Sequence, residues 1–169
     1  MKATDRPDTD SALRTPHSAF VALGSNLGVS RQIFAQAIAR LQEFSDAPLL
    51  QSSFIETAPE DCPPGSPNFL NAVIGLAPRA GETPESLHTK LQALEKEFGR
   101  APKKVLNEPR PLDLDMIAFG SEMRNSPELI LPHPRAHLRK FVLQPLAEIV
   151  PDFILPGQKK TATELLAAL

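Results

Sequence analysis

The chain is poor in the features that mark secreted, membrane-bound or nucleic-acid-binding proteins. It has one cysteine, Cys62, in 169 residues. A lone thiol excludes an internal disulfide and fits a reducing compartment. In its proline-rich loop, Cys62 reads as a bystander. No apolar run approaches the roughly 20 residues that a membrane helix needs. Residues 1–18 are polar, carry Pro7 and Pro16, and lack the apolar stretch of a secretory signal. They read as a disordered N-terminal extension of a cytoplasmic protein. The formal net charge is only −2 at pH 7, so no global field draws the chain to nucleic acid or a membrane. Any charge that binds phosphate must be local. There is no G-x-x-x-x-G-K-[ST] phosphate cradle, since Gly24-Ser25-Asn26-Leu27-Gly28 is too short for one. No Ser-His-Asp order and no metal-binding Cys/His spacing is present.

What is there suffices for one globular domain, taken as residues 19–169, with a real hydrophobic core. Its 18 prolines cluster between periodic segments and act as loop punctuation. Residues 19–23 are a short apolar strand ended by a glycine-rich turn. Ser30 can cap a helix whose apolar positions Ile33, Phe34, Ala37, Ile38, Leu41 and Phe44 keep helical spacing. Residues 49–57 read as one strand, 58–68 as a loop, and 69–76 as another strand. Thr83-Pro84 opens a second helix, Leu87, Leu91, Leu94 and Phe98 line its buried face, and Gly99 stops it. After a charged loop, residues 112–119 form the last strand. Residues 129–131 are extended, residues 141–150 are helical despite Pro145, and Thr161 and Glu164 fit a capping box. The order β-α-β-β-α-β is ferredoxin-like, an α+β class with a mainly antiparallel sheet. The last strand is apolar on both faces beyond Asp115, so the C-terminal helices should cover the face left open by the two main helices.

Four segments could carry chemistry. Asp113 and Asp115 lie two apart in a strand, hence on one face with Cα atoms roughly 6–7 Å apart. Such a carboxylate pair suits magnesium, which takes its remaining ligands from water and substrate phosphates. A D-x-D pair can also be two surface aspartates, but the upstream Arg110 and the apolar setting favour metal and phosphate. Five cations between Lys96 and Arg110 form a basic loop, which is either merely solvated or a polyphosphate clamp. Prolines on both sides restrict His133, which can then hydrogen-bond a phosphate or shuttle a proton; His137 reads as exposed. Phe69 and Asn71 share a strand face. A ring beside an amide can stack on and read a planar heterocycle, although a core phenylalanine with a strand-end asparagine explains the pair locally as well.

Taken together, residues 21–28, Ser53-Phe54-Ile55-Glu56-Thr57, Phe69-Leu70-Asn71-Ala72-Val73, Glu95 with Gly99-Arg100, Pro109-Arg110-Pro111-Leu112-Asp113-Leu114-Asp115, and Pro132-His133 through Arg139 and Phe141 resemble the 6-hydroxymethyl-7,8-dihydropterin pyrophosphokinases of folate biosynthesis. The resemblance implies transfer of the β,γ-diphosphate of ATP to the pterin hydroxymethyl group, with release of AMP. It implies two Mg2+ ions on Asp113 and Asp115, and ATP contacts from Gln92, Arg110, His133 and Arg139. It further implies a catalytic-loop role for Arg100. Phe69 and Phe141 would sandwich the pterin, with Asn71 and Thr57 at its hydrogen-bonding edge. The chain departs from the family pattern at Asn107, where tryptophan is usual, and at Pro102, where many members carry a second arginine. Phe69 replaces tyrosine and keeps the ring. The expectation is an ATP-dependent diphosphotransferase acting on small molecules, with no nucleic-acid or membrane partner, as a monomer or weak oligomer. The alternatives are a paralogue acting on another pterin and a non-catalytic ligand-binding or regulatory domain of the same fold.

Overall fold

A computed structural model of the chain describes residues 17–100 and 108–169. The elements follow in the order β1 (Ala19–Ser25), α1 (Ser30–Gln42), β2 (Leu50–Gln51), β3 (Ile55–Thr57), β4 (Phe69–Leu76), α2 (Pro84–Glu97), β5 (Asp113–Phe119), β6 (Arg124–Asn125), β7 (Ile130–Leu131), a 3-10 turn (Ala136–Leu138), α3 (Lys140–Ile149) and α4 (Ala162–Ala167). The main sheet runs β2-β4-β1-β5, and β3 also pairs with β4. Its pairings are antiparallel. This is the ferredoxin-like arrangement, with β2 and β3 together in the place of one strand.

Alternation along the strands divides the sheet into two faces. On one face Ala19, Val21 and Leu23 of β1, Ala72, Ile74 and Leu76 of β4, and Leu114 and Met116 of β5 pack on Phe34, Ala37 and Leu41 of α1 and Leu87, Leu91 and Leu94 of α2. On the other, Phe20, Val73 and Ile117 pack on Val142, Leu143 and Leu146 of α3 and Ala162 and Leu165 of α4. The C-terminal helices therefore cover the second face, as the doubly apolar β5 implied. They cover only part of it: Gly24, Asn71, Asp113 and Asp115 line an open cleft that the start of α3 borders.

Two local expectations change. Residues 49–57 do not form one strand. Ser52 sits between β2 and β3, its N–H donating to the Val73 carbonyl (3.0 Å) while its Oγ accepts from Val73 N–H (2.9 Å). A side-chain oxygen takes the place of a main-chain acceptor and the regular ladder breaks there. Ser30 is the first residue of α1 rather than its cap; Val29 holds the cap position without a side-chain bond, and Ser30 Oγ pairs with Ser25 Oγ at 2.8 Å. The second helix matches its sequence signals closely: Thr83 and Ser86 form a reciprocal capping box, Pro84 follows, and Gly99 (φ +90°) leaves the helix in a left-handed conformation. Thr161 and Glu164 likewise form the expected box on α4.

The expected N-terminal extension falls almost wholly outside the described residues. At its border Ser18 joins the sheet: its N–H donates to the Leu76 carbonyl (3.0 Å), and its own carbonyl accepts from Gly120 N–H (2.7 Å). Residues 101–107 of the basic loop, including Pro102 and Asn107, also lie outside the described residues.

Candidate active site

The sheet register builds the site. Gly24 pairs with Asn71 on one side and Asp113 on the other, and Ala22 pairs with Val73 and Asp115. Phe69, Asn71, Gly24, Ala22, Asp113 and Asp115 therefore share one face. The small residues of β1 form its floor and the functional side chains rise on both sides. A Cβ built on Gly24 would stand 3.8 Å from Asp113 Cβ, 3.8 Å from Phe69 Cδ1 and 4.0 Å from Asn71 Oδ1. The missing side chain opens the space between the ring and amide on one side and the carboxylate on the other. The resulting cleft has a volume of about 1010 Å3, at the top of the usual range for small-molecule sites.

Along one flank, Asn71 Nδ2 donates to Thr57 Oγ1 at 2.8 Å. The pairing of Ile55 and Thr57 with Asn71 and Phe69 fixes the two polar groups side by side. Phe141, at the start of α3, lines the cleft together with Thr57, Phe69 and Asn71. Each of the two rings carries a guanidinium: Arg110 lies 5.6 Å from the Phe69 centroid and Arg139 lies 5.4 Å from that of Phe141. These are cation–π distances, and they draw the arginines to the boundary between the ring end of the cleft and the acidic end.

At the acidic end, Arg100 bridges two carboxylates. It donates to Glu95 and, at 2.5 Å, to Asp113 Oδ1. Glu95, only 8% exposed, also accepts from Leu114 N–H at 3.2 Å. This ties the end of α2 to the start of β5. Burial raises the Glu95 carboxyl to about 7, against the opposing pull of Arg100. Burial likewise raises the Asp115 carboxyl to about 6; the Asp113 charge adds to this, while Arg139, Arg110 and Arg100 oppose it. Arg110 reaches Asp113 Oδ2 at 3.8 Å through Nε, and that buried Nε has no hydrogen-bond partner among the described residues.

His133 is set beside β5 by its own N–H, which donates to the Ile117 carbonyl at 2.9 Å, just after a cis Leu131–Pro132 bond. Its Nδ1 accepts from Arg135 N–H at 3.2 Å. The neutral ring then carries its proton on Nε2. Burial, followed by the nearby Arg139 charge, lowers the imidazole pKa from 6.5, so the ring is a neutral donor at pH 7.

The cleft brings together Thr57, Phe69, Asn71, Arg110, Asp113, Asp115, His133, Arg139 and Phe141. Arg100 stands in an adjoining hollow of about 100 Å3 that it shares with Arg110, and it reaches the cleft through Asp113. Gln92 is exposed on α2 and is not brought to the cleft lining. Cys62 does line the cleft, its Sγ donating to the Glu60 carbonyl at 3.1 Å. His137 is half-buried rather than exposed.

Sequence reasoning passed over Asn26. It is 3% exposed, its Nδ2 donates to the Pro67 carbonyl at 3.3 Å, and it exchanges hydrogen bonds with Arg110. The one hint was its position in the glycine-rich turn after β1. Among the described residues no group of three or more His, Cys, Asp and Glu side chains could hold a metal ion. A carboxylate pair alone nevertheless fits magnesium, a hard cation that keeps waters and completes its shell with substrate phosphates. The unpartnered Arg110 Nε fits a phosphate oxygen beside it.

Residues 20–151 match the family model of 7,8-dihydro-6-hydroxymethylpterin-pyrophosphokinase (HPPK). The 2-amino-4-hydroxy-6-hydroxymethyldihydropteridine pyrophosphokinase of Synechocystis sp. is 35% identical over 150 residues, which cover 89% of this chain and 75% of that protein. The enzyme of the same name from Pseudomonas aeruginosa is 36% identical over 149 residues, covering 88% and 90%. A solved HPPK-DHPS structure in complex with substrates superposes with a TM-score of 0.66 at 12% identity, over 91% of this chain and 43% of that one. That superposition supports the fold. The sequence matches, spanning most of both partners, establish that this chain belongs to the 7,8-dihydro-6-hydroxymethylpterin-pyrophosphokinase family.

Proposed function

We propose that the chain transfers the β,γ-diphosphate of ATP to the hydroxymethyl group of 6-hydroxymethyl-7,8-dihydropterin, giving AMP and the pterin diphosphate. The observation that carries the reading is the shared sheet face. It presents a ring-and-amide slot and a carboxylate pair on opposite sides of Gly24, which itself puts no side chain between them. A planar heterocycle in the slot would direct its hydroxymethyl arm over that gap.

In this reading Phe69 and Phe141 stack on the pterin, and Asn71 and Thr57 pair with its polar edge. The pterin hydroxyl oxygen forms a bond to the β-phosphorus as the bond from that phosphorus to the α,β-bridging oxygen breaks; the hydroxyl proton is released to solvent, and AMP departs with the bridging oxygen. Asp113 and Asp115 would hold Mg2+, two ions by the family pattern, which neutralise phosphate charge when bound. Arg110 and Arg139 leave their rings for the phosphates, and the neutral His133 donates from Nε2 to a phosphate oxygen. Arg100, released from Asp113, keeps Glu95 as its anchor and supplies further positive charge near the phosphates. Most of the acceleration comes from holding the two substrates in line and neutralising charge. Gln92 has no such support from the geometry. We assign the activity to the cytoplasm, where ATP is at hand; among the described residues no helix is long and apolar enough to cross a membrane.

The test is incubation of the protein with ATP, Mg2+ and the hydroxymethyl-dihydropterin, with competing hydroxymethyl-pterins in parallel. AMP and the pterin diphosphate appearing in equal amounts support the reading. Preference for a competing pterin changes the substrate, and binding of pterin without any Mg2+-dependent ATP turnover leaves only a binding domain.

A further inference from the structure

The last turn of α3 carries a carboxylate and no basic residue. The helix dipole disfavours an acid there, so the position of Glu148 calls for a local cause. Its two oxygens supply one. Oε1 accepts from the Ser53 main-chain N–H at 2.9 Å, and Oε2 accepts from the Ser53 hydroxyl at 2.7 Å. The partners are 95 residues apart in the chain. The contact is a two-pronged, charge-assisted clamp, a geometry that fixes orientation as well as distance.

The two ends of this clamp belong to the two walls of the proposed pterin slot. Ser53 lies in the break between β2 and β3. Two residues further on, β3 begins, and it lays Ile55 and Thr57 against Asn71 and Phe69. Glu148 lies seven residues after Phe141 on α3, close to two helical turns and so on about the same side of the helix. One wall thus hangs on β3 and β4 and the other on α3. Between them the contact is apolar, through Val73 against the Val142, Leu143 and Leu146 group. Apolar packing is non-directional and leaves small shifts of the helix along the sheet poorly opposed. The clamp opposes them at the end of α3 remote from Phe141.

We infer that Glu148 is a positioning residue for the pterin slot: through Ser53 it sets the spacing between the Phe141 wall and the Thr57–Asn71 wall, and hence the affinity for the planar substrate. This inference rests on the proposed function and extends it to a pair that touches no substrate. Both residues are exposed, so the clamp tunes the slot and the fold survives without it.

The experiment compares wild type with Glu148→Ala, Glu148→Gln and Ser53→Ala. It measures pterin binding by calorimetry in the presence of Mg2+ and a non-hydrolysable ATP analogue, steady-state constants for both substrates, and thermal unfolding. Glu148→Ala raises the Kd and KM for the pterin by about fivefold, while KM for ATP and kcat stay within about twofold. Glu148→Gln recovers most of the affinity, because its amide oxygen still accepts from Ser53 N–H and its amide nitrogen donates to Ser53 Oγ. Ser53→Ala, which keeps the main-chain prong, falls between. Unchanged pterin affinity in Glu148→Ala, or equal weakening of ATP and pterin, overturns the inference while the proposed function stands. A wild-type protein that binds no pterin overturns both.

Discussion

Asn26 and Arg110 hold each other across 84 residues of chain. Asn26 N–H donates to the Arg110 carbonyl at 3.1 Å, and Arg110 N–H donates to Asn26 Oδ1 at 3.0 Å. The bracket sets the backbone of Arg110 three residues before the carboxylate pair. Asn26→Ala removes the acceptor from a half-buried N–H and the donor that serves Pro67. The expected outcome is a loss of ~1–3 kcal/mol in unfolding free energy, with a rise in KM for ATP, checked by denaturant titration and steady-state kinetics.

The carboxylate pair is expected to be indispensable for transfer and dispensable for pterin binding. Asp115→Ala should reduce diphosphate transfer on the order of 100-fold or more. Calorimetric pterin affinity should stay near wild type, because Phe69, Asn71 and Thr57 are untouched. Full activity in this variant would remove the metal assignment.

Acid should compete with Mg2+ at Asp115. Its carboxyl is raised to about 6 by burial and then by the Asp113 charge, so below that pH the ligand is increasingly neutral. Mg2+ affinity then falls by about tenfold per pH unit, measured by calorimetry between pH 5 and 8. The same shift has a sign for stability. A carboxyl whose pKa is higher folded than unfolded favours the folded state at low pH, and that contribution is lost as pH rises through the folded value. Without metal, Asp115→Asn, which mimics the neutral form, should therefore unfold at a higher temperature than wild type above pH 6. The gap should close near pH 4, and Mg2+ should narrow it at pH 8 by stabilising wild type alone.

Gly24 is expected to be required for space rather than for backbone freedom. Its φ lies outside the left-handed region, and an added Cβ meets its neighbours at 3.8–4.0 Å, ordinary contact distances. Gly24→Ala should fold with little change in melting temperature yet raise KM for the pterin about tenfold, because the methyl group enters the gap that the hydroxymethyl arm must cross.

These residues also mark where the sequence was legible. Features whose partners lie within a few positions could be read directly: the Thr83-Pro84 start and Gly99 stop of α2, the Thr161–Glu164 box, and the shared face of Asp113 and Asp115. The covering of the second sheet face could be read from the apolar residues on both sides of β5. Strand alternation put Phe69 and Asn71 together but could not say what faced them; the register with Gly24 supplies that. Ser52 could not be read, because its side chain replaces a main-chain acceptor for Val73, and nothing near residue 52 signals it. Asn26 with Arg110, and Glu148 with Ser53, were hidden for the same reason. Each is an ordinary polar residue whose meaning depends on a partner brought near only by folding.

The division of the sheet into two faces has a consequence for how such an enzyme can be altered. Along β1, alternate residues belong to different tasks: Val21 and Leu23 face the helices α1 and α2, and Ala22 and Gly24 face the cleft. Point changes at positions 22, 24, 69 and 71 can therefore re-line the slot for a different flat molecule without disturbing the packing behind it. Inserting or deleting one residue in β1 does the opposite, turning leucine and valine into the cleft and glycine into the core. Evolution and the protein engineer are offered substitution here, and denied insertion.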